Sequence, residues 1–333
     1  MKIGLTYDLR SDYLAEGYSE LETAEFDREE TIESLENSLK ILGHQTDRIG
    51  NARKLIERLA RNERWDIVFN IAEGLRGVGR EAQVPAILDV YDIPYTFSDP
   101  LVMSLTLHKG MTKRVIRDAG IPTSDFFVFE GDLTEDVITL SPPFFIKPVA
   151  EGTGKGITPD SIIREKKDLI PACFKMLAAN DQPVLIERYL PGREFTVGIT
   201  GTGSEAVAVG TMEVHLLPGA EEGVYSYANK ENCEELVKYI VRDSLVVPVV
   251  KTCEEIAVNA WRALGCRDGG RIDLRCDENE KPYFLEVNPL AGLHPDHSDL
   301  PIIAKGVGLG YQALIERILA SACKRIKRRA PSI

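Results

Sequence analysis

The residues best suited to do chemistry lie near the C-terminus, where Gly269 to Gly292 read GGRIDLRCDENEKPYFLEVNPLAG. Side chains two apart on a strand point the same way, so Arg271 and Asp273 share one face and Ile272 and Leu274 the other. Glu286 and Asn288 repeat the design, with Leu285 and Val287 on the apolar side. The turn formers Asp277, Glu278 and Asn279 between the two runs predict antiparallel pairing. Such a pair gathers two carboxylates, an amide oxygen and a guanidinium on one polar surface. Oxygen-only ligands suit Mg²⁺, with Mn²⁺ as a substitute, above all where phosphate oxygens complete the shell. A solvated hairpin face would give the same pattern from these residues alone.

A second stretch weighs against that bland reading. Glu151-Gly-Thr-Gly-Lys-Gly156 follows a strand containing Lys147. Glycines let backbone N–H groups approach a ligand closely, and phosphate oxygens are natural guests beside Lys147 and Lys155. The loop matches neither the Walker A spacing nor G-x-G-x-x-G, so a plain turn is the competing reading. Further on, Glu187-Arg-Tyr-Leu190 ends an apolar strand and leads into Pro191-Gly-Arg-Glu194. A chain leaving a strand beside a pocket can offer backbone hydrogen bonds to an adenine edge and a carboxylate to a ribose.

These groups need a layered scaffold. The spacing predicts a strand at Lys2–Tyr7, and a helix over Arg28–Leu42 with Ile32, Leu35, Leu39 and Leu42 on one face, stopped by Gly43. A helix at Asn51–Arg61, a strand at Ile67–Asn70, Glu81–Val90 and Ile93–Thr96 continue the alternation of an α/β unit ending near Pro100. A helix at Lys109–Ala119, strands at Phe126–Phe129 and Phe144–Pro148, a helix at Lys166–Ala179 and a strand at Val184–Glu187 form the next group. The remainder, from Glu194, is rich in strands, with helices at Thr252–Leu264 and from Tyr311.

Composition limits the class. The chain has 333 residues, 44% hydrophobic and 28% charged, and a net charge of −12. That mix supports a real core and disfavours an extended nucleic-acid footprint. No run approaches the ~20 apolar residues that span a bilayer. The opening Met1–Arg10 has too short an apolar run for a secretory signal, interrupted by Asp8, so the expected location is the cytoplasm. All six cysteines are widely and irregularly spaced and read as free thiols, and five histidines leave a metal site to carboxylates.

Taken in order, HKGMTK with Lys109, FFIKPVAEGTGKG with Lys147, VLIERYLPGREFTV with Glu187 and Glu194, GGRIDL, FLEVNPLAG and HSDLP resemble the ATP-grasp superfamily and, within it, the D-alanine–D-alanine ligase family. The resemblance implies a three-domain fold mixing α/β and α+β units. Residues 1–100 would form an N-terminal α/β substrate domain, 101–190 an ATP-clamping domain, and 191–333 the catalytic domain.

It also implies roles. Lys109, Lys147 and the loop residue Thr153 would contact ATP, Glu187 and Leu190 would border adenine, and Glu194 would bind ribose. Asp273, Glu286 and Asn288 would hold magnesium. Arg271 would stabilise charge on the acyl group, Lys230 would close over ATP from a mobile loop, and Gly292 and Ser298 would receive the second substrate's carboxylate. Small amino acids as substrates and a homodimer follow from the same likeness.

The chain departs from the family pattern on the first-substrate side. A Gly-Gly-x-Ser start is replaced by the acidic segment Glu16–Glu33, from which Glu22, Glu29 or Glu30 would be recruited. The His-Gly-x-x-Gly-Glu-Asp-Gly element has become Asn70-Ile-Ala-Glu-Gly-Leu-Arg-Gly-Val-Gly-Arg-Glu81, and Glu231 stands where a tyrosine commonly follows the loop lysine. The expected reaction is ATP- and Mg²⁺-dependent formation of D-alanyl-D-alanine through an acyl phosphate. A ligase for another amino acid or dipeptide is the nearest alternative. A regulatory nucleotide-binding protein is a third, disfavoured by the intact Asp273, Glu286 and Asn288.

Overall fold

The computed structural model describes residues 1–221, 223, 224, 226, 229 and 232–328, and the side chains of Cys233, Glu234, Lys327 and Arg328 fall outside that description. Three sheets organise the described chain. The first is parallel, in the order β2-β1-β3, from β1 (Lys2–Thr6), β2 (Gln45–Gly50) and β3 (Ile67–Asn70). Helix α1 (Arg10–Ala15) is short; α2 (Glu29–Ile41), α3 (Ala52–Ala60) and α4 (Gln83–Val90) follow. The predicted face of α2 is the buried one, with Ile32, Leu35 and Leu39 at 0% exposure. Strand β2 is built from QTDRIG, whose polar side chains carry no strand alternation. Ile93–Thr96 contributes only a single bridge, Tyr95 to Val68, not a full strand. The chain lengthens there only enough to meet the sheet before the next helix.

Pro100 opens that helix. Asp99 caps α5 (Pro100–Leu107) by accepting from Val102 N at 3.1 Å, and proline suits the first helical turn because its missing N–H would be unpaired there anyway. α6 (Lys109–Asp118) follows after His108. The second sheet is antiparallel, β4-β7-β5-β6, from β4 (Phe126–Phe129), β5 (Phe144–Pro148), β6 (Ile162–Ile163) and β7 (Val184–Arg188), covered by α7 (Leu169–Asn180). Its own core includes Phe129, Phe144, Leu169 and Ile186.

The third sheet is antiparallel, β10-β9-β8-β11-β12, from β8 (Glu194–Thr200), β9 (Val207–Leu216), β10 (Val237–Arg242), β11 (Gly269–Cys276) and β12 (Pro282–Asn288). A short turn of helix, α8 (Cys233–Leu236), precedes β10. α9 (Pro248–Leu264) starts four residues earlier than Thr252 because Pro248 occupies its first turn, and Trp261 on its buried face has 0% exposure. Val102 and Ile116 of the α5–α6 pair pack into the same core as Trp261 and Phe195. α10 (Asp299–Gly306) and α11 (Tyr311–Arg328) bring Leu300, Leu314 and Ile318 into one core with Ile3 and Phe69 of the first sheet and Leu35 of α2. The N-terminal sheet is thereby tied to the C-terminal helices, and the site lies where all three sheets meet. Among the described residues no helix is long and apolar enough to cross a membrane, and five free cysteines are seen.

Candidate active site

The antiparallel pairing expected for the acidic hairpin is present. Arg271 stands opposite Asn288 and Asp273 opposite Glu286, with a bulge just after Asp273. Cross-strand neighbours bring side chains within reach of one another, and the contacts follow. Asn288 Nδ2 donates to Asp273 Oδ2 at 3.3 Å, Thr196 Oγ1 donates to Asp273 Oδ1 at 2.8 Å, and Arg271 Nε lies 3.5 Å from Asp273 Oδ2. Glu286 Oε2 lies 3.4 Å from Lys109 Nζ, which also donates to the Glu151 carbonyl. Lys109 therefore joins the metal-ligand candidates to the glycine-rich loop. Two carboxylates and an amide converging beside a lysine form a hard-oxygen donor set that fits Mg²⁺.

The opposite wall comes from the second sheet. Glu187 accepts from two lysines, Lys147 Nζ at 2.9 Å and Lys113 Nζ at 2.8 Å, while Ser124 Oγ donates to it at 2.9 Å. Burial pushes the Glu187 carboxyl up, but Lys113 and Lys147 outweigh it and hold the group at about 2. The two lysines diverge. Lys113, at 0% exposure, is lowered by burial against the pull of Glu187. Lys147 is raised because Glu187 and Glu286 together exceed the burial penalty. Lys113 belongs to the HKGMTK segment, one helical turn after Lys109, so i, i+4 spacing was the signal that could have found it.

Lys109, Lys147, Glu187, Leu190, Glu194, Asp273 and Glu286 all line one narrow slot of about 80 Å³ between the second and third sheets. Glu194 is held at 3.4 Å by Arg275, which also donates to the Gly223 carbonyl at 3.0 Å. Arg271, Thr153, Asn288, Gly292 and Ser298 line a second, larger cavity of about 630 Å³. Lys109, Glu151, Glu286 and Asp299 border both, so the two spaces adjoin. Thr153, at φ +50°, leaves its buried hydroxyl without a hydrogen-bond partner, an opening for a ligand oxygen. At Gly292 a Cβ would come within 2.7 Å of Ser298 Oγ, which accepts from His294 N at 2.9 Å. Lys230 lies outside the described residues.

The first-substrate side differs from the sequence expectation. Glu25, rather than Glu22, Glu29 or Glu30, faces the cavity. Its Oε1 accepts from Gly152 N at 2.7 Å and its Oε2 from Arg80 Nη2 at 2.8 Å, while Arg80 Nη1 donates to the Ala150 carbonyl at 3.0 Å. Glu22 instead accepts from the Ser19 hydroxyl, and Glu29 pairs with Arg48. Asp299, absent from the sequence reading, holds Arg271 Nη1 at 3.3 Å.

Residues 115–320 match the family model described as D-ala D-ala ligase C-terminus. A D-alanine–D-alanine ligase of Bordetella avium is 35% identical over 256 residues, covering 76% of this chain and 77% of that protein. An uncharacterised Sinorhizobium fredii protein, y4sG, is 32% identical over 271 residues, 78% of this chain and 75% of its own. Among solved structures, the Bacillus anthracis D-alanine–D-alanine ligase complexed with ATP aligns at a TM-score of 0.75 with 21% identity, covering 99% of this chain and 100% of that one. The Enterococcus faecalis VanG D-Ala:D-Ser ligase aligns at 0.73 with 21% identity, covering 96% and 99%.

Proposed function

Because the chain belongs to the D-alanine–D-alanine ligase family, with an ATP-grasp fold and an ATP-dependent ligase activity, we propose that it joins two amino acids through an acyl phosphate, with D-alanyl-D-alanine as the product. The observation that carries this reading is that the two cavities adjoin, with Lys109 and Glu286 lining both. A nucleotide in the slot directs its terminal phosphate toward an amino acid in the larger space.

Asp273, Glu286 and Asn288 would hold magnesium, which would supply charge neutralisation for the transferring phosphoryl group. Lys109 and Lys147 add fixed positive charge along the same path, and Lys147 needs no partner rearrangement because Glu187 already orients it. Leu190 and the backbone after Glu187 border the base, and Glu194 takes the ribose. The first substrate's carboxylate attacks the terminal phosphate of ATP, releasing ADP. The second substrate's ammonium loses a proton, and the free amine attacks the acyl phosphate carbon. Phosphate then leaves. Arg271, clamped between Asp273 and Asp299, faces the oxygen on which charge develops. The backbone at Gly292 and the Ser298 hydroxyl hold the second substrate's carboxylate, and Lys230 closes over the phosphates to keep water out. The site operates in the cytoplasm, with the chain as a homodimer.

A second reading keeps this chemistry but changes the first amino acid. It is favoured by the Arg80–Glu25 pair and by the position of residues 1–114, outside the matched family model. Product mass analysis with paired D- and L-amino acids, ATP and Mg²⁺ tests both. D-alanyl-D-alanine in preference to other products supports the first; a different dipeptide with no D-alanine dimer supports the second. ATP binding without any coupled product defeats both.

A further inference from the structure

Arg271 sits beside a carboxylate that the metal also needs. Its Nε lies 3.5 Å from Asp273 Oδ2, the same oxygen to which Asn288 Nδ2 donates at 3.3 Å. Asp273 and Asn288 are two of the three residues that would hold magnesium, so a guanidinium and a divalent ion would meet at one carboxylate. The Arg271 and Asp273 side chains are only 14% and 11% exposed. Like charges a few ångströms apart in such a site repel several times more strongly than in water. The arginine can share that corner with the metal only if a further anion stands beside it. Asp299 supplies one, with Oδ2 lying 3.3 Å from Arg271 Nη1, a different nitrogen of the same guanidinium.

The local fold fixes Asp299 there. Arg271 stands opposite Gly198 on the neighbouring strand β8. A Cβ at Gly198 would lie 3.0 Å from Leu300 Cδ1 and 3.3 Å from Ile303 Cγ2, so α10 rests on the bare backbone of that strand. Leu300 and Ile303 are fully buried and anchor the start of the helix. Asp299 lies in its first turn, where the free backbone N–H groups favour a negative charge. Its carboxylate therefore reaches Arg271 from a helix packed on β8, not from the hairpin that carries Asp273, Glu286 and Asn288. It borders both cavities.

We propose that Asp299 is a positioning residue that lets Arg271 and the metal occupy one corner of the site, neutralising the guanidinium and holding it in place when Asp273 turns to Mg²⁺. The assignment rests on the ligase reading above. With Asp299 present, three carboxylates (Asp273, Glu286 and Asp299) face Lys109, Arg271 and the ion. Without it the guanidinium leans on Asp273, in competition with the metal. Loss of a proton cannot relieve that competition, because an arginine side chain stays charged in proteins. Asp299 acts on the metal only through Arg271.

The test uses Mn²⁺ as the metal probe, bound to the full chain with a non-hydrolysable ATP analogue and read by water-proton relaxation, which reports protein-bound ion without turnover. Asp299→Asn should weaken Mn²⁺ binding about tenfold, within the coupling range of groups in one ion-pair network. Asp299→Glu should retain part of the affinity. Removing the arginine as well should remove the penalty, so Arg271→Ala/Asp299→Asn should bind Mn²⁺ within about twofold of Arg271→Ala alone. A loss caused only by a weakened start to α10 would persist in the double variant. Unchanged Mn²⁺ affinity in Asp299→Asn overturns the assignment, as does an equal loss with and without Arg271. Should Asp299→Asn fail to fold, Arg271→Ala decides: it should bind Mn²⁺ at least as tightly as the wild type, and weaker binding contradicts the repulsion. Failure of the ligase reading is separate, and shows as ADP and phosphate released by the wild type without any dipeptide.

Discussion

Glu187 and Lys113 form a fully buried ion pair at 2.8 Å, and Lys147 completes it from the other side at 2.9 Å. Two cations share one anion, so the cluster keeps a net positive charge on the wall of the slot. That surplus is what a polyphosphate would meet. The carboxylate also fixes the geometry of Lys147, which limits reorganisation when charge arrives.

Removing the shared anion leaves two buried ammonium groups uncompensated. Glu187→Ala should cost about 3–5 kcal/mol of folding stability, the range for breaking a buried pair from one side. Denaturant unfolding reads this directly. Substituting Lys113→Met in the same background should recover part of the loss, since the least solvated charge is then gone.

The same pair gives a pH signature. Glu187 is held at about 2 in the folded state, below its ordinary value of 4.5, so its contribution is present above about 4.5 and is lost as pH falls toward 2. Thermal unfolding between pH 5 and pH 2 should show a steeper loss for the wild type than for Glu187→Gln, which has no carboxylate to protonate.

Arg271→Ala should lower turnover by about 2.7–4 kcal/mol in barrier, as for a deleted oxyanion-hole donor, with ATP affinity little changed. Steady-state kinetics with ADP detection measure the first quantity and nucleotide titration the second. An unchanged kcat removes Arg271 from the catalytic set. Folding is checked in parallel, because Arg271 lies on a packed strand.

Asp273→Asn and Glu286→Gln should act differently, by raising the Mg²⁺ concentration required for half-maximal activity as well as lowering kcat. Chelation with EDTA should abolish wild-type turnover, and added Mg²⁺ should restore it. Activity that persists in EDTA contradicts the assigned ligand set.

Much of this site was legible in the sequence because strand periodicity needs only local spacing. Arg271, Asp273, Glu286 and Asn288 alternate with Ile272, Leu274, Leu285 and Val287, and the structure pairs them across one ladder. The first-substrate side was harder to read for a physical reason. Glu25 reaches Gly152 across 127 residues and Arg80 across 55, and no periodic pattern encodes such contacts. Glu25 was indistinguishable from its acidic neighbours until the chain placed it. The strand Gln45–Gly50 was hidden by its polar residues, and the helix at Pro100 by a proline that marked a helix start. Lys113 could have been found, since it follows Lys109 by one turn in a motif already singled out.

The most direct test of the central claim follows the oxygen that an acyl phosphate must transfer. The full chain is incubated with ATP, Mg²⁺ and D-alanine carrying ¹⁸O in its carboxyl group, and product and inorganic phosphate are analysed by mass spectrometry. The predicted result is dipeptide formed together with phosphate bearing one ¹⁸O from the substrate carboxylate, because attack by the amine leaves that oxygen on phosphorus. Dipeptide accompanied by unlabelled phosphate would contradict the acyl-phosphate route, and labelled phosphate with no dipeptide from D-alanine or any other amino acid in a labelled panel would contradict ligation.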